Sequence, residues 1–287
     1  MIAIFKREMR AYFLTPIGYI YMGFFLLITG IFFVMGNLRS GSSYYTGFLS
    51  GILLIYLFAV PFLTMRLFSE EKRQKTDQLL LTSPISISEI VLGKFLAALA
   101  LYCLTLLVTL AYALTIAVFG DLQGWETLGS YIGFIFLGAG YISVGVFVSA
   151  STENQITAAL VTFFSLLVIW MLDPLAQVIP SNLRGGLVFA GVLAAALALY
   201  LYFNTRSWVV SLGALAAGAI LIGALYLVRR NVYPGLAQRF LGWFSLNRRY
   251  QNFALGLLKA DALVYYASFS GFFLFLTVRL IEKRRWN

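Results

Sequence analysis

Long apolar stretches separated by short polar ones set the pattern of this chain. Eight stretches predict membrane-crossing helices: residues 16–36, 47–65, 95–119, 129–150, 155–172, 186–203, 208–228 and 262–281. A bilayer core of about 30 Å takes roughly 20 apolar residues of helix, which these lengths match. Their interiors hold no Lys, Asp or Glu. Arg279 stands close enough to the end of the last stretch to reach the interface with its long side chain. The fifth stretch is short and is expected to close at Asp173-Pro174. Residues 186–203 and 208–228 read as a tight hairpin joined by Asn-Thr-Arg-Ser. The expected fold is an all-α polytopic transmembrane helix bundle of about eight spans, with residues 1–287 forming one transmembrane domain.

The polar stretches predict elements of their own. Residues 1–15 put Ile2, Phe5, Met9, Tyr12 and Phe13 on one helical face and Lys6, Arg7, Glu8 and Arg10 on the rest. That is the pattern of an amphipathic helix lying along a membrane surface. Residues 66–94 gather nine of the chain's 32 charged residues into a mixed-sign island. Within it Ser69 reads as an N-cap, Glu70 and Glu71 as first-turn acids favoured by the helix dipole, and Glu71–Lys75 as an i,i+4 pair. Leu79, Leu80 and Leu81 give an apolar end, and Pro84 breaks the helix. Ser86 to Glu89 has the spacing of a capping box that starts the third span. A solvated loop requires neither three leucines nor two caps, so the island reads as a rigid element docking onto another protein. The alternative is a surface helix that covers the bundle. In residues 231–260, Pro234-Gly235 is a start signal, and Leu236, Phe240 and Trp243 follow at helical spacing. This predicts an extracytoplasmic interfacial segment. It either rests on lipid or forms an outer gate or interface for an anionic substrate, through Phe240, Trp243, Arg248 and Arg249.

Composition narrows the class. Hydrophobic residues make up 61% of the chain and charged ones 11%, against about 25% charged in soluble domains. No room remains for a large soluble domain. Lys and Arg in short loops orient a membrane protein with the basic side inward. The N-terminal segment, the 66–94 island and Lys283, Arg284 and Arg285 of the tail are basic, so both termini are expected to be cytoplasmic. The loops at 37–46 and 120–128 then lie outside, with Arg39 as their one positive charge. Residues 229–260 also fall outside, yet they carry Arg229, Arg230, Arg239, Arg248, Arg249 and Lys259, which is why this segment is assigned to the interface. Gly47 and Gly51 have the spacing that lets helices approach closely, within the chain or across a dimer. Cys103 is alone, so no internal disulfide forms, and no histidine is present to serve as metal ligand or general base.

Energy-coupling chemistry is missing as well. Proton- or ion-driven transporters place ionisable groups inside their spans, and these spans hold none. Neither a zinc-protease motif nor a pair of membrane aspartates occurs. Lys94 follows a glycine but lacks the earlier glycine and the Ser/Thr of a phosphate-binding loop. An independent secondary transporter is therefore disfavoured, and a partner must supply energy unless the chain is passive. Catalytic, metal and cofactor-binding residues are accordingly assigned to none.

The segment "MRLFSEEKRQKTDQLLLTSPISISEIVLGKFLA" resembles the region after the second span of type-2 ABC exporter permeases, in the branch of gliding-motility and copper-enzyme maturation permeases. "STENQITAAL" and "NFALGLLKADALVYYASFSGFFLFLTVRLIEKRRW" are similar to that branch too. The basic plan of the family has six spans, so residues 183–230 would be an extra transmembrane hairpin. The resemblance implies a permease subunit of an ATP-driven exporter in the bacterial cytoplasmic (inner) membrane, its substrate unidentified. It implies a second permease chain, as homodimer or heterodimer, and an ABC ATP-binding subunit that holds ATP and Mg²⁺. Residues 66–94 would be the coupling segment, with Glu70, Glu71, Lys72, Arg73 and Lys75 docking the ATPase. The helix at 1–15 would contact the ATPase as well. Lipids and an extracytoplasmic companion complete the expected partners; nucleic acid is not among them. The alternative function is a non-transporting anchor or force-transmitting scaffold driven by the same ATPase.

Overall fold

The computed structural model describes residues 1–76 and 85–285. They are helical, and no strand forms among them. Helix α1 (Ile2–Leu14) leads through Thr15 into α2 (Pro16–Phe33), whose first position takes proline because its missing N–H would have no partner there. A π turn at Val34–Leu38 ends that arm. The second crossing is composite: α3 (Tyr45–Gly51), a 3₁₀ turn at Ile52–Ile55, then α4 (Tyr56–Thr64) with Pro61 inside it. The short α5 (Ser69–Arg73) follows. Next come α6 (Ile87–Phe119), α7 (Gly124–Ser151), α8 (Gln155–Val178), α9 (Leu183–Thr205) and α10 (Trp208–Val228). Two short helices, α11 (Leu236–Phe244) and α12 (Leu246–Ala254), precede α13 (Ala260–Arg285). Eight helical stretches among the described residues are long and apolar enough to cross a membrane, and they correspond one to one with the eight predicted.

One boundary follows expectation and one differs. The helix of the third crossing starts at the expected Ser86–Glu89 cap, where Ser86 accepts a hydrogen bond from the Glu89 N–H, and it runs unbroken from Ile87 into the apolar stretch at 95–119. At about 1.5 Å per residue it is roughly 50 Å long, so its first turns extend beyond an apolar core. The fifth crossing does not close at Asp173-Pro174 but continues to Val178 with Pro174 inside the helix. Asp173 is satisfied by the Ser245 hydroxyl, which donates to its carboxylate at 2.5 Å.

The chain divides into two compact units, residues 1–168 with 249–287, and residues 169–248. In the first, α7 is the central column, packed by α4, α6 and α13. Its core is aromatic and hydroxylated. The Tyr56 and Tyr102 hydroxyls lie against each other and within 2.8 and 2.9 Å of the Phe134 carbonyl, so that one donates to the carbonyl and the other to its tyrosine neighbour. Tyr45 and Tyr131 pair at 2.7 Å beside Thr109. Lipid offers no hydrogen bonds, and these hydroxyls take their partners inside the bundle. Gly145 lets α4 approach α7: a Cβ there would sit 2.2 Å from the Thr64 hydroxyl oxygen. Of the Gly47 and Gly51 pair, Gly47 lies under the Tyr44 ring, and Gly51 has no side-chain or distant atom within 4 Å of its would-be Cβ.

The second unit is built on the α9–α10 hairpin. Arg206 turns it in the left-handed region at φ 51°, and Ser211 donates across it to the Ala198 carbonyl at 2.9 Å. Asn182 caps α9 by accepting the Gly185 N–H. Helix α11 packs on α9 through Phe240 against Phe189, ring centroids 5.8 Å apart.

Gly145→Ala lowers stability by about 1–3 kcal/mol, because the new methyl overpacks the α4–α7 contact. Gly23→Ala in α2, where a methyl meets nothing, leaves it unchanged or raised. Thermal melting in detergent reads both; equal shifts would contradict the close α4–α7 approach.

Candidate functional site

The described residues of the 66–94 island, 66–76 and 85–94, form a joint whose charges are engaged largely within the protein itself. Ile4, Glu8 and Tyr12 share the inward face of α1, at intervals of four residues. Ile4 lies against Gly93 of α6, where a Cβ would meet it at 3.0 Å, and the Tyr12 hydroxyl donates to the Leu63 carbonyl. The close approach brings Glu8 onto Lys94, whose side chain is 1% exposed. The Lys94 ammonium has three N–H donors and meets three acceptors: Glu8 Oε1 at 2.9 Å, Glu71 Oε1 at 3.0 Å and the Leu67 carbonyl at 2.6 Å. The Phe68 ring faces it at 5.1 Å. Arg7 then bonds the same two carboxylate oxygens, each at 2.6 Å. Lys94, Glu8, Arg7 and Glu71 thus form a closed ring of alternating charge that ties α1, α5 and α6 together. Beside it Arg66 pairs with Glu70 at 2.8 Å, and a cavity of about 260 Å³ opens against the ring.

The far side of α5 is anchored to the end of α7. The Ser149 hydroxyl accepts from the Phe68 and Ser69 N–H groups and donates to the Met65 carbonyl. Lys72 is buried, its ammonium on the Ala150 carbonyl. Burial of Glu8 acts to raise its pKa, but Lys94 and Arg7 outweigh it and hold the carboxyl below the ordinary 4.5.

Several expected roles change. Ser69 is not an N-cap: it is the first residue of α5, and its hydroxyl donates back to Met65. Glu71 pairs with Arg7 and Lys94 instead of Lys75, because α5 has ended by then. Lys75 is left-handed at φ 57°, with Lys75 N–H on Lys72 O and Thr76 N–H on Glu71 O, the two bonds of a Schellman stop. Leu79, Leu80, Leu81 and Pro84 lie outside the described residues. Of the five docking residues, Glu70, Glu71 and Lys72 are turned into the joint, whereas Arg73 and Lys75 are exposed. On α1 the face of Ile2, Phe5, Met9 and Phe13 points away from the packed side, and Glu8 turns inward from the polar set. Among the gate residues, Phe240 and Trp243 are exposed on α11, Arg248 donates to the Gln238 carbonyl at 3.2 Å, and Arg249 covers the Tyr265 ring at 3.5 Å. Among the described residues no group of three His, Cys, Asp or Glu could hold a metal ion.

A family model described as ABC-2 family transporter protein matches residues 41–280. The chain belongs to the ABC-2 transporter family. Among curated proteins none matches it. Membership makes it a multi-pass membrane permease, the non-ATPase component of an ABC transporter, whose partner is an ABC ATP-binding subunit. The matched region of this ABC-2 permease contains Glu71 and Lys94, while Arg7 and Glu8 precede it. Sequence reasoning missed Lys94 and Glu8, the two residues that close the joint. The available signal was a lone lysine among apolar residues, seven residues after Ile87, the first residue of a helix capped by Ser86.

Lys94→Met leaves the two partly buried carboxylates with Arg7 as their remaining cation in the ring and costs the ABC-2 permease about 3 kcal/mol. Adding Glu8→Gln returns part of the loss, with a coupling of about 0.5–3 kcal/mol; strictly additive melting shifts would contradict the ring. Because the Glu8 pKa is depressed in the folded state, its stabilisation is present above about pH 4.5 and is lost as pH falls through the depressed value. Melting temperature therefore falls on acidification less steeply in Glu8→Gln than in the wild type.

Proposed function

We propose that this chain is the permease subunit of an ATP-driven exporter in the bacterial cytoplasmic membrane, working with a second permease chain and with ABC ATPase subunits that bind ATP and Mg²⁺. Both termini and α5 face the cytoplasm, where the ATPase docks. The observation that carries this reading is the charge ring. A short helix after the second span is joined by buried charge to the surface helix α1 and to the long α6, so a displacement imposed on α5 is imposed on all three. Parting them would orphan a buried ammonium, at about 3–5 kcal/mol. A push from the ATPase therefore moves the elements as a rigid body.

Within the island the roles divide. Arg73 and Lys75, exposed on and just beyond α5, meet the ATPase, while Glu71, Lys94 and Glu8 transmit the displacement. Reversing Glu71 would break the ring along with any docking contact, so the exposed pair is the cleaner test. Arg73→Glu with Lys75→Glu reduces co-purification of the ATPase subunit at least ten-fold. Lys94→Met keeps the ATPase bound but lowers substrate-stimulated ATP hydrolysis at least ten-fold in liposomes. Wild-type ATPase retention by the double reversal would remove the docking assignment. Full stimulation in Lys94→Met would remove the transmission role.

A further inference from the structure

Residues 169–248 contain six arginines, no lysine and one acid, Asp173. Asp173 is engaged by Ser245. All six arginines are exposed, and among the described residues none pairs with a carboxylate. Five stand at one end of the hairpin. Arg184 lies in the first turn of α9, and Arg229 and Arg230 follow the end of the antiparallel α10. Arg239 lies on α11, with Arg248 just beyond. That helix is held to the same end, since Gly235 N–H donates to the Ser181 carbonyl at 3.0 Å and Gln238 to the Ile179 carbonyl at 2.5 Å. Arg206 alone marks the opposite end.

Like charges gathered at one end of the hairpin repel, and Arg184 also sits where the α9 dipole disfavours positive charge. An anion relieves both. Next to the arginines α11 exposes Phe240, Trp243 and Phe244, side chains suited to the head-group level of a bilayer. Helices α9 and α10 are nearly bare, burying 11% and 6% of their most apolar stretch within the protein. Where lipid flanks these helices, its head groups reach the level of the arginines.

We infer that this arginine end is a binding surface for the head groups of anionic phospholipids, which it selects from the surrounding bilayer. Arg184, Arg229 and Arg230 supply the charge. Arg239 and Arg248 hold the scaffold through backbone carbonyls, Arg239 donating to Val232 at 2.5 Å and Pro234 at 2.9 Å. This inference goes beyond the exporter reading and does not depend on an ATPase.

The test is retention of phosphatidylglycerol against phosphatidylcholine by the purified full-length chain, read by native mass spectrometry in detergent. The wild type retains phosphatidylglycerol preferentially, and the preference weakens with salt. In the Arg184→Gln, Arg229→Gln, Arg230→Gln variant the affinity for phosphatidylglycerol falls about five-fold for each arginine removed. Arg206→Gln leaves it unchanged, and inorganic phosphate at equal concentration does not displace the lipid. The single Arg184→Gln serves if the triple variant fails to fold, with a five-fold loss expected. Unchanged retention in the folded variants, an equal loss in Arg206→Gln, displacement by phosphate, or no preference in the wild type overturns the assignment.

Discussion

Burial of the Lys94 ammonium is the constraint from which the joint follows. An ammonium taken out of water costs several kcal/mol unless acceptors surround it. Lys94 has three N–H donors and three acceptors, and the acceptors come from separate segments: Glu8 on α1, Glu71 on α5 and the Leu67 carbonyl before α5. No segment can withdraw without leaving a donor unmet. Arg7 adds less, because its side chain is 48% exposed and water screens its pairs. It keeps the two carboxylates from repelling each other across the lysine. The same arrangement explains why α1 does not float on the surface as its amphipathic pattern alone would allow.

Away from the joint, the first unit meets the same requirement with neutral groups. In the middle of the bundle, tyrosine hydroxyls bond to one another, to Thr109 and to the Phe134 carbonyl. Charge would be costly there, and hydroxyls are not. Aromatic rings meanwhile supply the contact area that helix association in lipid needs, since hydrophobic exclusion does not operate between apolar surfaces. Polar content thus grades from buried ion pairs at one end of α6 to hydroxyl pairs along its middle.

The helices of this fold were legible in the sequence because a membrane span is a composition of fixed length, and composition is local. All eight stretches are recovered. Boundaries were legible where a local signal decides them, as at the Asn-Thr-Arg-Ser turn. They failed where the deciding contact is distant: Pro174 stays inside α8, and Asp173, read as a terminus marker, takes a hydrogen bond from Ser245. The joint was half legible. The density of charge in 66–94 was visible, but local rules pair Glu71 with Lys75, four residues on. Its real partners are Arg7, 64 residues before it, and Lys94, 23 after it. Lys75 is unavailable because the chain turns through the left-handed region at that residue. Such pairings follow from the packing of α1 against Gly93, which no helical wheel contains.

The two units treat charge in opposite ways, and the difference bears on what each can do. In the first, the buried cations Lys72 and Lys94 are satisfied within the protein, so they fix geometry and leave little field for a ligand. The second carries half of the chain's net charge of +10 in 80 residues and spends little of it internally. An ion pair that is closed gives rigidity to the elements it joins. A cluster left open keeps its field for something outside the chain. A closed ring therefore holds its elements in one geometry, and an open cluster keeps its charge for contacts outside the chain.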